Sequence, residues 1–170
     1  NPIPSEVDVA VIGAGSAGLP AFRAAREHTD RVILIERGPH GTTCARVGCM
    51  PSKLLIAAAE AAHGMEIAPG FGIHPGSISI DGEAVMERVR RERDRFVGFV
   101  LDGVDRIDPE QKISGQARFV EDSRLEIGNS QVRAGRVVIA SGTSPAIPDF
   151  LEEVRDRVSV NDDVFEWKTL

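Results

Sequence analysis

The sequence predicts an α/β fold in which a parallel sheet carries a βαβ unit, together with a small antiparallel β-meander. Two observations predict it. Within the first 36 residues, a β-branched run is followed by a glycine-rich turn, an alanine-rich stretch and a second β-branched run. After Pro109 the pattern changes to short alternating runs separated by turn residues, which is typical of an antiparallel meander.

The βαβ unit comes first in the chain. Residues 7–12 and 31–36 are rich in valine and isoleucine, which predicts two buried strands. The alanine-rich stretch 17–27 between them predicts a helix, and residues 1–6 form a short lead-in. A crossover of this kind joins parallel strands and is almost always right-handed.

The rest of the chain contains two further helices and the meander. Residues 51–62 predict a helix with Pro51 in its first turn, where the missing N–H costs least. Residues 83–104 predict a long amphipathic helix, and the Gly-, Pro- and Ser-rich stretch 65–81 predicts an irregular connection. The meander strands are predicted at residues 113–117, 119–121, 124–127 and 131–133. A further buried strand is predicted at residues 136–140.

Length and charge limit the possible partners. The 170 residues suffice for one well-cored domain, which we place at residues 1–148, with 149–170 as a connection towards an absent domain. A net charge of -6 argues against a nucleic-acid partner. Without a long apolar run or a signal-peptide pattern, we expect a cytoplasmic protein that does not bind membranes. Acidic residues alternate with an arginine-rich stretch of the long helix, which favours a solvated helix face over an RNA contact. These arginines are Arg88, Arg90, Arg91, Arg93 and Arg95.

A dinucleotide-binding turn follows the first strand. Gly13, Gly15 and Gly18 form the motif G-x-G-x-x-G between a strand and a helix. The first glycine permits the tight turn, the second lets backbone approach a diphosphate, and the third lets helix and strand pack closely. Glu36 ends the second strand, where its carboxylate can accept hydrogen bonds from ribose hydroxyls, with Arg37 beside it. This pattern predicts a Rossmann-like nucleotide site without distinguishing FAD from NAD.

The two cysteines, Cys44 and Cys49, are separated by four residues. No second Cys or His pair accompanies them, so we expect no metal site. In a regular helix, Cα atoms at positions i and i+5 lie about 8.6 Å apart, whereas a disulfide requires roughly 4.4 to 6.8 Å. The segment between them is therefore expected to be distorted, and Gly48 gives it that freedom. Cys49 precedes a helix, whose N-terminus favours a thiolate.

These motifs together resemble the class I pyridine nucleotide–disulfide oxidoreductases, and within them the dihydrolipoamide dehydrogenases most. The resemblance covers essentially the whole chain, and its most specific part is the cysteine block 41–53. It implies a Rossmann-like FAD-binding domain, electron transfer from dihydrolipoamide-type dithiols through FAD to NAD(P), and a homodimer when full length. By the same resemblance, Cys44 is the interchange thiol and Cys49 the charge-transfer thiol beside the flavin. The further cofactor-contacting residues that it implies are Thr43, Lys53, Gly115, Ala117, Ser141 and Gly142.

The sequence departs from the family pattern at two positions. Thr42 stands where the family has a second glycine, and a β-branched residue is strained there if the position requires a positive φ. Arg46 adds a cation near Cys44, which either affects the thiol or is a solvated surface residue. Ser52 matches the dihydrolipoamide dehydrogenase and mercuric reductase pattern, whereas glutathione reductases usually have lysine.

Two alternatives to the dihydrolipoamide reaction stay open. One is a mercuric or other disulfide reductase of the same family. The other is a flavin- or NAD-binding module without thiol chemistry. The resemblance places the catalytic base in a part of the family's chain that this sequence lacks, so we expect these 170 residues to be inactive alone.

Overall fold

The computed structural model describes residues 3–170, so the first two residues of the predicted lead-in lie outside the described part. Six strands form one sheet in the order β3-β2-β1-β6-β5-β4. The strands are β1 Glu6–Ile12, β2 Val32–Glu36, β3 Lys112–Ser114, β4 Ala117–Glu121, β5 Arg124–Ile127 and β6 Ser130–Ile139. The α-helices are α1 Gly18–Arg26, α2 Thr43–Val47, α3 Cys49–Ile67, α4 Gly82–Asp105 and α5 Asn161–Val164. Short 3₁₀ helices lie at Ala68–Phe71 and Asp149–Arg157.

The chain divides into two compact units. The first comprises residues 1–43 and 98–144, and the second comprises 44–97 and 145–170. The sheet lies in the first unit, and the predicted α/β class with a βαβ unit and a meander is confirmed. Within the described part of the chain, no helix is both long and apolar enough to cross a membrane.

The parallel half of the sheet is buried on both faces. In β2, Ile33 and Ile35 belong to one core cluster, and Val32 and Leu34 belong to the cluster on the other face. Burial on both faces explains why this strand is a continuous apolar run without alternation. Helix α1 packs on the second cluster through Leu19 and Phe22, which fixes the end of the glycine turn against the sheet.

The meander differs from its prediction at one edge. The run predicted as its first strand splits, because β3 pairs in parallel with β2 and only β4 joins the antiparallel part. Gly115 lies at the break and donates its N–H to the carbonyl of Glu36 at 2.9 Å. This bond ends β3 beside the end of β2, so the next strand starts in a new direction.

Strand β6 is one continuous strand where the sequence predicts two. Its first residues pair antiparallel with β5, and from Arg133 onwards it pairs in parallel with β1. Arg133 itself faces Arg124 on one side and Glu6 on the other. Gly135 interrupts the apolar pattern but not the strand, and a Cβ there would lie 3.1 Å from the carbonyl oxygen of Asp8. The meander is thus a continuation of the parallel sheet.

Arg93, on the part of helix α4 that belongs to the second unit, differs from the predicted solvated arginine face. Arg93 is 9% exposed, and its guanidinium forms ion pairs with Asp94 at 2.8 Å and with Glu166. Although burial lowers the pKa of Arg93, hydrogen bonds and charges from these two carboxylates raise it above its ordinary value. Arg93 therefore holds the C-terminal segment against α4, and the solvated-face prediction is wrong for this residue.

The C-terminal segment packs within the second unit. The amide of Asn161 donates to the carbonyl of Val47 at 3.0 Å, and Phe165 is 4% exposed. The segment forms a 3₁₀ helix and α5 where the sequence predicts only a connection. Its role as a connection to a further domain stays a prediction.

Candidate functional site

The glycine turn has the geometry that its sequence predicts. Gly13 has a φ of 105°, and a Cβ there would lie 2.2 Å from the carbonyl oxygen of Ala140. A Cβ on Gly18 would lie 1.7 Å from the carbonyl oxygen of Gly13. A Cβ on Gly15 would meet nothing within 4 Å among the described residues. Two glycines are therefore required by packing, and the third leaves space through which a ligand can approach the backbone.

The carboxylate of Glu36 connects this turn to the end of β2. One oxygen accepts a hydrogen bond from the backbone N–H of Ala14 at 2.7 Å, and the other accepts from Gly38 at 3.0 Å. A carboxylate has about four lone-pair positions, so each oxygen can also accept from a ribose hydroxyl. The sequence predicts the acid, and the structure shows what orients it.

A cleft of about 330 Å³ opens at the carboxyl ends of β1, β2 and β6. Ligands bind at this end of parallel strands in doubly wound sheets. The cleft brings together seven of the predicted cofactor residues, namely Gly13, Glu36, Arg37, Gly115, Ala117, Ser141 and Gly142. Gln116, Thr143 and Ser144 also line it. Gln116 and Thr143 lie inside predicted motifs, so the predicted residues next to them could have identified them. The sequence contains no signal for Ser144.

The other predicted cofactor residues lie outside that lining. Gly15 and Gly18 belong to the turn itself, and Thr43 begins α2. Lys53 lies on α3 in the second unit. The cleft and turn fit a dinucleotide, because they offer an open backbone approach for its diphosphate and an oriented carboxylate for a ribose. Roles for the individual residues stay predictions.

The cysteine pair lies across a break between two helices in the second unit. Helix α2 ends at Val47, and α3 begins at Cys49. Between them, Gly48 has a φ of -128° and a ψ of -116°, far from helical values. The carbonyl of Gly48 accepts hydrogen bonds from the N–H of Ser52 at 3.2 Å and from its hydroxyl at 2.7 Å. The predicted distortion at Gly48 is therefore confirmed.

The break brings the two thiols into hydrogen-bond contact. This hydrogen bond raises the pKa of Cys44, and burial and the negative charge of Cys49 raise it further. The positive charge of Lys53 acts in the opposite direction and lowers that pKa. Cys44 is half-buried and Cys49 is exposed. The side chain of Cys49 thus favours the protonated form of Cys44.

The described residues include no group of three or more His, Cys, Asp or Glu side chains placed to hold a metal ion. The second unit contains the two thiols and the cation of Lys53. Two adjacent thiols with a nearby cation can exchange two electrons with a disulfide. Arg46 is half-buried on α2 beside the pair.

Fold and side chains together define a dinucleotide-binding α/β protein that carries a dithiol pair. The family profile described as pyridine nucleotide-disulphide oxidoreductase matches residues 7–168. The chain belongs to this family, as the cysteine block predicts. It is a family of flavin-dependent disulfide oxidoreductases that use FAD and NAD(P)H.

Individual relatives agree with this assignment. A mercuric reductase from Streptomyces lividans is 36% identical over 159 residues, covering 86% of this chain and 33% of the relative. A glutathione reductase from Burkholderia cepacia is 31% identical over 161 residues, covering 95% of this chain and 35% of the relative. The chain thus spans about a third of the length of both relatives. Neither of these two relatives is a dihydrolipoamide dehydrogenase, so they do not support that particular resemblance.

A solved structure supports the fold. The HOCl-induced flavoprotein disulfide reductase RclA from Escherichia coli superposes with a TM-score of 0.64. It is 21% identical in sequence, and the match covers 84% of this chain and 29% of that protein. At this identity the likeness is evidence for the Rossmann-like fold alone.

Proposed function

We propose that the whole protein transfers two electrons between a small dithiol or disulfide and a pyridine nucleotide, through the Cys44–Cys49 pair and FAD. The observation that carries this proposal is the helix break at Gly48. It interrupts the helix between two cysteines that are five positions apart, and a hydrogen bond with the side chain of Cys49 raises the pKa of Cys44. An uninterrupted helix would keep their Cα atoms too far apart for a disulfide.

The chain's own residues divide the work between its two units. Gly13, Gly15 and Glu36 hold the dinucleotide in the first unit. In the second unit, a substrate dithiol closes its own disulfide and gives up two electrons and two protons, while the Cys44–Cys49 disulfide opens to two thiols. Bound FAD supplies the two-electron acceptor between these thiols and the pyridine nucleotide.

The raised pKa of Cys44 supports distinct roles for the two sulfurs. Because the pKa of Cys44 is raised, in the first place by its hydrogen bond with Cys49, we assign the donation of electrons to the flavin to Cys49. Cys44 then serves as the thiol that exchanges with substrate. Lys53 supplies positive charge that favours the thiolate form of Cys44.

We propose dihydrolipoamide-type dithiols as substrate, with NAD as the acceptor, in a cytoplasmic homodimer. The support is the resemblance of the cysteine block, including Ser52. In the structure the Ser52 hydroxyl donates to the Gly48 carbonyl at 2.7 Å. Since this contact gives Ser52 a local structural role, its value for choosing the substrate is reduced.

Mercuric ion is the second candidate substrate, and the relative from Streptomyces lividans favours it. A pair of adjacent thiols binds a soft metal ion well. The two candidates are separated by measuring turnover of the full-length protein. One assay follows NAD⁺ reduction by dihydrolipoamide, and the other follows NADPH oxidation by mercuric ion or by oxidised glutathione.

The redox role of the pair is tested by titrating the full-length protein with one equivalent of a dithiol. We expect a long-wavelength thiolate-to-flavin absorption band that disappears in Cys49→Ser and persists in Cys44→Ser. A flavin spectrum that is identical in the wild type and Cys49→Ser would instead identify a nucleotide-binding module without thiol chemistry.

A further inference from the structure

The residue before Thr43 has a backbone conformation that its side chain disfavours. Thr42 has a φ of 60°, and it follows Gly41, which has a φ of 113°. Only a small fraction of non-glycine residues adopt positive φ, and a β-branched residue there is an outlier. The sequence-based expectation of strain at Thr42 is therefore met. Strain of this kind persists only where the surrounding structure holds it, and it is concentrated at ligand-binding sites.

Thr42 lies beside helix α1, the helix that follows the glycine turn. It lines a hollow of about 300 Å³ together with Ser16, the residue that follows Gly15 in the glycine motif. The polar groups of this hollow are the two hydroxyls and the guanidinium of Arg23, while Leu19 and Phe99 line its apolar side. All of these residues belong to the first unit.

The first turn of α1 suits an anion. Its N-terminus has no acidic residue in the first turn, and no side chain of the described residues caps it. Helix N-termini of this kind attract phosphate through free N–H groups and the helix dipole. Gly15, beside Ser16, leaves open space in front of the backbone.

We propose that Thr42 is a further cofactor-binding residue, whose hydroxyl donates a hydrogen bond to the diphosphate of the dinucleotide alongside Ser16. Thr42 lines the hollow from this left-handed backbone. A glycine would adopt the backbone without strain but would lack the donor. The inference rests on FAD being the cofactor in the proposed function.

The test compares two changes at Thr42 with a matched change elsewhere. Ser123 is the other described non-glycine residue with positive φ, at 63°, and it lies in the turn between β4 and β5. For each variant of the full-length apoprotein, the Kd for FAD is measured by quenching of flavin fluorescence. The midpoint of thermal unfolding is measured without FAD.

Thr42→Gly should raise the Kd for FAD about tenfold, as expected for loss of a hydrogen bond to a charged group. Its apoprotein should unfold at the same or a higher temperature than the wild type, because glycine relieves the strain. Thr42→Ser keeps the hydroxyl and should hold the Kd within about threefold of the wild type. Ser123→Gly should leave the Kd unchanged.

Wild-type affinity in Thr42→Gly would overturn the inference, and so would an equal loss in Thr42→Ser, because the hydroxyl would then be irrelevant. These outcomes leave the proposed function intact. A wild-type protein that binds no FAD would instead overturn the proposed function. Tight FAD binding without any thiol-dependent spectral change would overturn the redox proposal and leave the role of Thr42 standing.

Discussion

Alanine substitutions at Gly15 and Gly18 of the glycine turn should have different effects, although each adds the same methyl group. In Gly18→Ala the new Cβ would lie 1.7 Å from the carbonyl oxygen and 2.8 Å from the carbonyl carbon of Gly13. Both are backbone atoms of Gly13, whose φ of 105° already restricts the turn. In Gly15→Ala the new Cβ would meet no described atom within 4 Å. The same chemical change should therefore affect the fold at Gly18 and the ligand at Gly15.

The magnitude follows from the contact distances. Restoring a contact of 3.0 Å at Gly18 requires the backbone to move by roughly 1.3 Å. Inserting a methyl group into a packed region costs about 1–3 kcal/mol, and backbone neighbours leave little room to relax. In a protein of this size, a loss of about 2 kcal/mol lowers the melting temperature by about 4–8 °C. Gly15→Ala should stay within about 0.5 kcal/mol of the wild type.

The assay measures urea unfolding of the apoprotein and FAD binding for each variant. Gly18→Ala should shift the unfolding midpoint, whereas Gly15→Ala should leave it unchanged and raise the Kd for FAD about ten- to a hundredfold, since the methyl occupies the space of the approaching diphosphate. The reasoning would be refuted by Gly18→Ala as stable as the wild type, or by Gly15→Ala with wild-type affinity.

Two further predictions concern the second unit. Cys49→Ala removes the hydrogen bond and charge that raise the pKa of Cys44, so the pH midpoint for iodoacetamide alkylation of Cys44 in the apoprotein should fall, whereas Lys53→Met should raise it. Unchanged midpoints in both variants would contradict this coupling. Arg93→Met removes the hydrogen bonds that the guanidinium donates to Asp94 and Glu166, whose side chains are 66% and 60% exposed, and should lower the free energy of unfolding by about 1–2 kcal/mol, as measured by urea denaturation. The control is Arg95→Met, because the side chain of Arg95 is 67% exposed. This variant should change the free energy of unfolding by less than about 0.5 kcal/mol. Equal effects in the two variants would be evidence against the role of Arg93.

The parallel part of the fold is predictable because its signals are local. The runs at residues 7–12 and 31–36 and the glycine turn between them specify β1, α1 and β2 within one or two residues. The pairing of β3 with β2 is not local, since Ser114 lies opposite Glu36 only after a long intervening stretch. Strand β6 likewise depends on two different neighbours, which no sequence window contains.

The candidate site is predictable where residue type and conformation are linked. Gly13 and Gly18 are required by backbone contacts, and Gly48 by the helix break. Thr42 is the opposite case. The family pattern has glycine at this position, and the structure has a positive φ there, which a threonine side chain disfavours. The ion pair of Arg93 depends on Glu166, 73 positions away, and local charge alternation contains no signal for it.

The continuity of β6 has a consequence for anyone who would cut or graft this scaffold. The strand begins in the antiparallel hairpins and ends one residue before Ala140, whose carbonyl lies against Gly13. The strand is therefore one continuous element that joins the hairpins at one end to the glycine turn at the other. Removing the hairpins would also remove support for the glycine turn, so a grafted segment has to include both.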